Sequence, residues 1–373
     1  MRIGFDITAI TRNRTGVGTF CYYLLKHLVQ LAPDATVAGF SSGSARVDLG
    51  PLAGAVSHRH IPLPTRLLYH VWTCLGVPQV DWFLGGVDVY HATNYFLPPT
   101  RSARTVLTIY DLSFLAVPER CSPKIVGPFS RKVAQFARRA DAIVTCSEAT
   151  KADIVGRWNV DPVKVAVTPG AVDEAFTPMD RDAAARYLNE HYGIRGPFIL
   201  FVGTLEPRKN VPGLLRAFAG IAASIPHTLV LAGQMGWNTG EILDTLRAIN
   251  LGERIRRVGY VPRHAELAVF YSAADAFVFP SFYEGFGLPV LEAITCGCPV
   301  VTAANSSLTE VAGDAVLYAD PNAPEDIAAA ILRLLEDAPL RESCVAKGKA
   351  QARRFSWDAC ARATLDVYRR LAP

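Results

Sequence analysis

The sequence predicts an α/β protein built from two doubly wound parallel sheets. Short apolar runs alternate with helical stretches along the whole chain, which is the pattern of consecutive β-α-β units. The chain has 373 residues, 50% of them hydrophobic, which is enough for about two domains with separate cores. The segment Gly193–Pro197 interrupts a helical stretch with two glycines and a proline, and therefore predicts the boundary between them.

The apolar runs are short and closed by turn residues, as buried parallel strands are. In the amino-terminal half they are Arg2–Ile7, Thr36–Phe40, Val87–Tyr90, Arg104–Ile109, Ala142–Cys146 and Lys164–Thr168. In the carboxyl-terminal half they are Phe198–Val202, Thr228–Leu231, Ile255–Val258, Ala276–Phe279, Pro299–Thr302 and Ala315–Tyr318. We therefore expect one domain over residues 1–194 and a second over residues 195–355.

The first strand leads into a loop with two glycines. Residues 11–18 show no apolar periodicity, whereas residues 19–31 are amphipathic with helical spacing. Gly16 and Gly18 would let backbone amides between the strand and the helix approach a phosphate closely.

Two adjacent cations follow the strand Phe198–Val202. The strand ends at Gly203, and the polar loop after it carries Arg208 and Lys209 before an amphipathic helix. Open α/β sheets bind ligands at the carboxyl ends of their strands. The planar fork of Arg and the compact charge of Lys suit the two phosphates of a nucleotide diphosphate. The alternative is that both side chains are ordinary surface charges.

A Gly-Phe-Gly turn, Gly285 to Gly287 with Phe286 at its centre, follows the predicted strand Ala276–Phe279. A helical pattern begins at Leu288, with a proline in its first turn, where the missing N–H has no intrahelical partner to lose. The glycines let the backbone approach a ligand, and the amides and dipole of the helix N-terminus favour an anion such as a diphosphate.

Two carboxylates flank this turn. Glu284 comes just before it, and Glu292 lies about one turn inside the predicted helix. At this spacing Glu284 can accept hydrogen bonds from sugar hydroxyls while Glu292 reaches a ribose. The alternative is that Glu284 caps the helix and Glu292 is solvated.

These motifs together resemble a known family. Glu284 and Glu292, with the Gly-Phe-Gly turn between them, are similar to the signature of retaining, nucleotide-sugar-dependent glycosyltransferases of the GT-B fold, in the glycogen-synthase-like branch. The run Glu206-Pro-Arg-Lys-Asn210 is similar to the diphosphate clamp of that family. The resemblance implies two Rossmann-like domains facing across a cleft, with the donor bound by the second domain.

The resemblance also implies roles for the donor-side residues. Arg208 and Lys209 would stabilise the charge that develops on the departing nucleoside diphosphate, and the Gly287 and Leu288 amides would bind the same anion. The backbone around Tyr260 and Val261 would bind the nucleobase; the alternative there is a plain strand-loop turn. The candidate catalytic residues of this domain are Glu284, Arg208 and Lys209. Gly203, Gly285 and Phe286 are further candidate donor-binding residues.

The acceptor side is assigned to the first domain by the same resemblance. Tyr110 stands where the family often has a histidine that contacts the donor sugar, and Asp111 keeps the acidic neighbour. Both are candidate catalytic residues, Asp111 as the acceptor base or a ligand of the acceptor hydroxyl, against a capping or turn role. His91 and Asn94 are further acceptor candidates, and the alternative for His91 is a structural histidine.

Two more expectations come from the family. Residues 356–373 would form a last helix that crosses back onto the first domain. The segments Thr11–Gly18, His91–Pro98 and Asp111–Phe114 look most like those of bacterial mannosyl- or deoxyhexosyl-transferases of surface-polysaccharide assembly in glycosyltransferase family 4. They favour GDP-mannose as the donor and a glycan or lipid-linked saccharide as the acceptor.

Charge and composition limit the other classes. A net charge of +4 is too small for a general nucleic-acid binder. Residues 63–72 and 123–139 mix cations with aromatic side chains, so they could touch a lipid-diphosphate acceptor or an anionic membrane surface at the inner face of the plasma membrane. The alternative is that they form ordinary solvated helices. Any membrane contact would be peripheral, because no run of about 18 uncharged apolar residues occurs and the chain opens on a strand without a signal peptide.

The eight cysteines are scattered, which indicates reduced thiols in a cytosolic protein. Cys296 and Cys298 lack a second ligand pair and make a poor zinc site. No Asp-x-Asp motif ends a strand and the clamp already supplies two cations, so we expect no metal and no cofactor.

Other activities fit parts of the pattern. A nucleotide-sugar 2-epimerase of the same architecture would clamp a diphosphate without using an acceptor. A non-catalytic nucleotide-sugar-binding subunit would keep Glu292 and lose the cations. A dinucleotide dehydrogenase fits less well, because the loop with Gly16 and Gly18 lacks the third glycine of that fingerprint.

Overall fold

The protein is described by a computed structural model that covers residues 1–11, 16–262 and 264–372, with the side chain of Pro128 also outside the description. The chain divides into two compact units. The first comprises Met1–Leu112, Gly127–Gly170 and the segment from Ser356 onward; the second comprises Ser113–Val126 and Ala171–Phe355.

The first unit contains a parallel sheet. Its strands are β1 (Arg2–Asp6), β2 (Thr36–Ser42), β3 (Val56–Ile61), β4 (Val89–Ala92), β5 (Arg104–Thr108), β6 (Ala142–Thr145) and β7 (Val165–Val167). Within the described residues they pair in the order β3-β2-β1-β4-β5-β6-β7. The order reverses direction between β1 and β4, where a doubly wound sheet opens a crevice at the carboxyl ends of its strands.

The second unit repeats this arrangement. Its strands are β8 (Phe198–Val202), β9 (Thr228–Ala232), β10 (Ile255–Gly259), β11 (Ala276–Phe279), β12 (Val300–Ala303) and β13 (Leu317–Ala319). They pair in parallel in the order β10-β9-β8-β11-β12-β13, so the direction reverses between β8 and β11. Strand β8 is buried at every position, because helices cover both faces of a doubly wound sheet.

Helices connect the strands. In chain order, the described part of the protein has α1 (Gly16–Leu31), α2 (Thr65–Leu75), α3 (Val80–Phe83), α4 (Ser113–Ala116), α5 (Pro123–Arg139), α6 (Glu148–Trp158), α7 (Arg181–Tyr192), α8 (Val211–Ile221), α9 (Gly240–Ile249), α10 (His264–Ala273), α11 (Leu288–Thr295), α12 (Leu308–Ala312), α13 (Pro324–Glu336), α14 (Ala338–Ala352) and α15 (Trp357–Leu371). Short 3-10 turns cover Gly50–Gly54, Pro118–Arg120, Pro162–Lys164, Pro207–Lys209 and Gly252–Arg254.

The predicted fold class of two doubly wound parallel sheets is confirmed. The prediction contains no strand at β3, however, whose sequence Val-Ser-His-Arg-His-Ile has few apolar residues. This strand lies at the edge of the first sheet and is largely solvent-accessible, so it has no continuous apolar run to reveal it.

The change from the first unit to the second falls at Gly170–Ala171, before the predicted boundary at 194–195. The intervening helix α7 packs within the second unit. Tyr192 donates a hydrogen bond to Glu266 of α10 (3.0 Å), and Arg256 of β10 donates to the carbonyl of Gly193 (2.6 Å). The glycines and proline that follow α7 therefore mark the entry to β8 rather than the edge of a compact unit.

The C-terminal helix α15 belongs to the first unit. The Trp357 ring stacks on Tyr23 of α1 with a centroid distance of 5.4 Å, and Asp358 lies 2.6 Å from His27. These contacts hold the last helix against the first one. Among the helices of the described residues, none has the length and apolar character needed to cross a membrane.

Candidate functional site

In the second unit, the loops that follow β8 and β11 lie side by side. These strands are parallel neighbours, with Ala276 opposite Ile199, so their carboxyl ends meet at one edge of the sheet. The amide of Phe282 in the second loop donates to the carbonyl of Arg208 in the first (2.9 Å), and Ser281 Oγ lies 3.1 Å from the same carbonyl. The structure therefore brings the predicted cations and the predicted carboxylates into one site.

The two cations and two carboxylates of these loops form a connected cluster. Lys209 Nζ lies 2.6 Å from Glu284 Oε1, and Arg208 Nη1 lies 3.0 Å from Glu284 Oε2. Arg208 Nη2 also lies 3.0 Å from Glu206 Oε1. The side chains of Arg208 and Lys209 are only 15% and 11% exposed, so these residues are not ordinary surface charges.

Burial and pairing compete in setting the protonation of this cluster. Burial by itself raises the pKa of Glu284, but the charges of Arg208 and Lys209, with hydrogen bonds from Lys209 and Ser281, lower it to about 2. Burial lowers the pKa of Lys209, an effect that Glu284 opposes. Burial raises the pKa of Glu206, which the two cations oppose. Glu284 is therefore an ionised carboxylate with several partners and not a helix cap.

The N-terminus of α11 follows directly. Gly287 precedes the helix at φ +100°, and a Cβ there would lie 2.8 Å from Leu308 Cδ2, so the position requires glycine. Because the N-cap residue is a glycine, it has no side chain that could cap the helix. Leu288 is its first residue, and Gly285 and Phe286 are buried beside it. The end of the helix thus offers main-chain amides and a positive dipole to an anion.

Glu292 lies inside α11 and has polar partners on neighbouring elements. Tyr271 of α10 donates to its carboxylate (2.9 Å). Although the side chain is partly exposed, removal of the carboxyl from water raises the pKa of Glu292 to about 7, and the Tyr271 hydrogen bond and the charge of His264 oppose this rise. His264 is in turn 2.9 Å from Asp173. Glu292 is therefore not the solvated residue of the alternative interpretation.

Three predicted donor residues lie at strand ends of the same sheet. Gly203 ends β8 at φ +148° and donates its amide to Ala232 (2.9 Å). Tyr260 and Val261 follow the edge strand β10; Tyr260 is 46% exposed, whereas Val261 is buried. Their predicted contact with a nucleobase stays a prediction.

The glycine pair of the first unit differs from the prediction. Gly16 and Gly18 lie in the first turn of α1 instead of in a loop before it, and Gly18 is buried. Residues 12–15 of the predicted loop lie outside the described residues.

Tyr110 and Asp111 follow β5 as predicted. The Tyr110 hydroxyl donates to the carbonyl of Thr93 (2.8 Å) and lies 3.3 Å from Cys21 Sγ. With its proton directed to the backbone, this hydroxyl would meet a sugar as a hydrogen-bond acceptor, and the catalytic role of Tyr110 stays a prediction. Asp111 is partly buried and contacts Tyr95, whose hydroxyl accepts from the Asp111 amide (2.9 Å).

His91 is a structural residue, contrary to its place among the acceptor candidates. It is fully buried, and its Nδ1 and Nε2 lie 2.5 Å from the Tyr368 hydroxyl and 2.7 Å from the Thr108 hydroxyl. Burial lowers the pKa of His91 to about 3. Asn94, in contrast, is exposed in the loop after β4.

The sequence did not predict that residues 113–126 belong to the second unit and contribute to its candidate site. Arg120 of this segment places its guanidinium 4.3 Å from the ring centroid of Phe282, in the loop that carries Glu284. No local pattern predicts this contact, because the two residues are far apart in sequence. Tyr271, His264 and Asp173 were missed for the same reason.

The described residues contain neither a candidate metal site nor a disulfide bond. Those residues contain no group of three or more His, Cys, Asp or Glu side chains arranged to hold a metal ion. All eight cysteines are free thiols.

Comparison with known families and proteins gives consistent results. The family described as glycosyl transferases group 1 matches residues 192–351, and the family described as Glycosyltransferase Family 4 matches residues 14–176. The chain is 33% identical over 384 residues to the O-antigen chain mannosyltransferase B of Escherichia coli, with 100% of both proteins covered.

Solved structures share the fold. Sucrose-phosphate synthase of Thermosynechococcus elongatus superposes with a TM-score of 0.79 at 20% identity, covering 100% of this chain and 99% of that one. HepE of Anabaena, solved in complex with UDP-glucose, gives a TM-score of 0.74 at 18% identity and covers 98% of both chains.

Proposed function

The chain belongs to the family 4, group 1 glycosyltransferases of the GT-B fold, and from this premise we propose that it is a retaining mannosyltransferase that takes mannose from GDP-mannose. The acceptor in this proposal is a hydroxyl of a glycan or lipid-linked saccharide in surface-polysaccharide assembly. The similarity to an O-antigen chain mannosyltransferase over the full length of both proteins supports the sugar and the pathway class.

One observation carries the proposal. Arg208 and Lys209 meet Glu284 beside the N-terminus of α11, at the point where the order of the second sheet reverses. Such a crevice is where open α/β sheets bind nucleotides. Two cations and a helix N-terminus converging on one place fit a diphosphate better than they fit any uncharged ligand.

In this proposal, different groups of the site hold the different parts of the donor. The Gly287 and Leu288 amides and the two cations hold the diphosphate, and Glu292 accepts hydrogen bonds from the ribose hydroxyls. Glu284 contacts the sugar hydroxyls. As the bond between the anomeric carbon and the phosphate oxygen breaks, negative charge grows on the leaving diphosphate, and Arg208 and Lys209 stabilise that charge more strongly than in the ground state.

The acceptor hydroxyl attacks the anomeric carbon and must lose its proton. Asp111, at the end of β5, is the group that we assign to this hydroxyl, either as its base or as a hydrogen-bond acceptor that orients it. Asn94, exposed in the neighbouring loop after β4, is available to further acceptor hydroxyls.

The donor assignment is tested by binding and by transfer. Thermal unfolding should be measured with GDP, UDP, GDP-mannose and UDP-glucose, because a ligand that binds the native state raises the midpoint by mass action. We expect GDP-mannose and GDP to stabilise the protein and UDP-glucose to have no effect. Stabilisation by UDP-glucose alone would contradict the GDP-mannose assignment.

Transfer itself separates the proposal from its alternatives. Radiolabelled mannose should move from GDP-mannose to a mannose-containing oligosaccharide with an α linkage, which NMR of the product establishes. Conversion of the nucleotide sugar without any acceptor would indicate an epimerase, and binding without turnover would indicate a non-catalytic subunit. The proposal includes metal independence, so an excess of EDTA should leave the rate unchanged.

Peripheral contact with an anionic membrane is part of the same proposal. Leu67, Leu75 and Trp82 expose 50%, 68% and 67% of their surface around α2 and α3. Helix α5 lies nearby, because the Phe96 ring contacts both Tyr69 of α2 (3.7 Å) and Phe136 of α5 (4.9 Å). The exposed cations of α5 include Arg131, Lys132 and Arg138. Apolar side chains flanked by cations suit a surface of anionic lipid at the inner face of the plasma membrane.

Vesicle sedimentation tests this contact. The protein should sediment with phosphatidylcholine vesicles only when they contain phosphatidylglycerol, and Trp82→Ser should reduce the bound fraction. Val163→Ser is the matched control, because Val163 is 86% exposed elsewhere in the first unit. Equal sedimentation with both kinds of vesicle, or with none, would contradict the contact.

A further inference from the structure

Tyr95 has a backbone conformation that bulky residues seldom adopt. Its φ is +55°, and the amide of Phe96 donates to the carbonyl of Asn94 across it (2.6 Å), which closes a γ-turn of the rare form with a positive φ. The Tyr95 amide also donates to the carbonyl of Thr108 (3.2 Å). Such strain persists only where the surroundings hold it in place, and it is concentrated at functional positions.

The side chain of Tyr95 makes contacts that hold this backbone conformation in place. Its ring packs edge-on against Tyr110 and Phe129, with centroid distances of 5.9 and 5.6 Å. Its hydroxyl accepts a hydrogen bond from the amide of Asp111 (2.9 Å) and lies 3.2 Å from the Asp111 carbonyl oxygen and 3.4 Å from Asp111 Oδ1. The hydroxyl therefore contacts Asp111 through its main chain and through its carboxylate.

We propose that Tyr95 is a positioning residue that holds the Asp111 carboxylate in the orientation needed to receive the acceptor hydroxyl. The inference rests on the acceptor role proposed for Asp111. A glycine or asparagine would adopt the positive φ at lower cost. The tyrosine at this position places its hydroxyl on Asp111, which links the loop after β4 to the loop after β5 at the carboxyl edge of the sheet.

Tyr95→Phe removes the hydroxyl while keeping the ring and the turn. We expect kcat/KM for the acceptor to fall about tenfold, the effect of losing one hydrogen bond to a carboxylate. The affinity for GDP-mannose and the slow hydrolysis of GDP-mannose without acceptor should not change, because the donor site lies in the second unit. Tyr192→Phe is the matched control: it also removes a hydroxyl that bonds a carboxylate, but that carboxylate is Glu266 of the second unit and not Asp111.

A double-mutant cycle shows whether Tyr95 acts through Asp111. In the Asp111→Asn background, Tyr95→Phe should cost less than about twofold, because the group it orients is already gone. A second variant, Tyr95→Asn, relieves the backbone strain and lacks the hydroxyl. It should lose acceptor activity at least as much as Tyr95→Phe, whereas a purely conformational role predicts no loss.

The kinetics of these variants distinguish the role of Tyr95 from that of Asp111. A tenfold loss that is equal in both backgrounds, or wild-type kinetics in Tyr95→Phe, would overturn the role of Tyr95 and leave the proposed function standing. Wild-type kinetics in Asp111→Asn would overturn the acceptor role of Asp111 together with this inference, while the donor assignment would remain. The inference is supported if Tyr95→Phe lowers acceptor activity when Asp111 is present but not in Asp111→Asn, while the hydrolysis of GDP-mannose without acceptor is unchanged.

Discussion

Lys209 Nζ lies 2.6 Å from Glu284 Oε1, so the cation expected to bind the diphosphate is paired with the carboxylate expected to bind the sugar. Arg208 pairs with Glu284 as well. A donor that enters this site adds negative charge to two cations that already share a carboxylate. The pairing orients the cations before the donor arrives, and it means that changes to Lys209 also affect the state of Glu284.

Replacement of Lys209 by alanine should lower transfer at least about tenfold, or roughly 1.4 kcal/mol, because a buried diphosphate loses a charge partner. The same change leaves the buried Glu284 carboxylate with fewer partners, so the melting temperature should also fall. Transfer from labelled GDP-mannose and thermal unfolding measure the two effects. Lys347→Ala is the control, because Lys347 pairs with Asp314 at an exposed position of the same unit. An unchanged rate in Lys209→Ala would remove the clamp from the mechanism.

The pH dependence of stability should contain a contribution from Glu292. Its pKa is about 7 in the folded protein against 4.5 for the unperturbed group, so the fold favours the protonated form. That stabilisation is complete below pH 4.5 and is lost as the pH rises through about 7, a change of about 3 kcal/mol.

The comparison with Glu292→Gln isolates this effect, since glutamine stays neutral. Urea unfolding of both proteins without nucleotide should show the wild type losing stability relative to the variant between pH 5 and pH 8 (roughly the titration range of the shifted group). If the free energy of unfolding has the same pH dependence in both proteins, the Glu292 carboxyl is solvated.

The contact between Arg120 and Phe282 should support the donor loop. Removal of the guanidinium in Arg120→Ala should cost about 0.5–1 kcal/mol of stability and raise the KM for the donor a few-fold, because Phe282 precedes Glu284 and bonds to Arg208 through its amide. Arg120→Lys should recover part of the loss. Arg247→Ala, at an ion pair with Asp244 that is more than 70% exposed on both sides, is the control. Equal KM values for the donor in Arg120→Ala and Arg247→Ala would show that the contact between Arg120 and Phe282 does not affect donor binding.

Substitution of His91 should act on stability and not on the acceptor. His91→Ala leaves the hydroxyls of Tyr368 and Thr108 without their shared partner and opens a cavity in the core, so unfolding should become easier by about 3 kcal/mol. The exposed His191→Ala serves as the comparison. A raised KM for the acceptor in folded His91→Ala, with little loss of stability, would restore His91 as an acceptor ligand.

Much of the fold follows from local sequence. The apolar runs at β8 and β11 predict their strands within a residue, because buried parallel strands are continuous and apolar. Strand β3 escaped prediction because an edge strand needs no such run. The start of α1 was placed too late, because Gly16 and Gly18 resemble a loop by composition although both lie in the first helical turn.

The candidate site was predicted in part. The cations and carboxylates are recognisable because each motif lies at one strand end, and the strand ends of a parallel sheet share an edge. Tyr271 and Arg120 carry no such signal, since their partners Glu292 and Phe282 lie on other elements.

The amino-acid order alone therefore establishes the two sheets, the loops after β8 and β11, and the chemical character of those loops, because strand and turn preferences act between near neighbours. Only tertiary packing pairs Lys209 with Glu284 across 75 positions and encloses His91 with Tyr368 across 277. Burial and ion pairing depend on which distant segments come together, and the same histidine or lysine is a ligand or a structural partner according to what covers it.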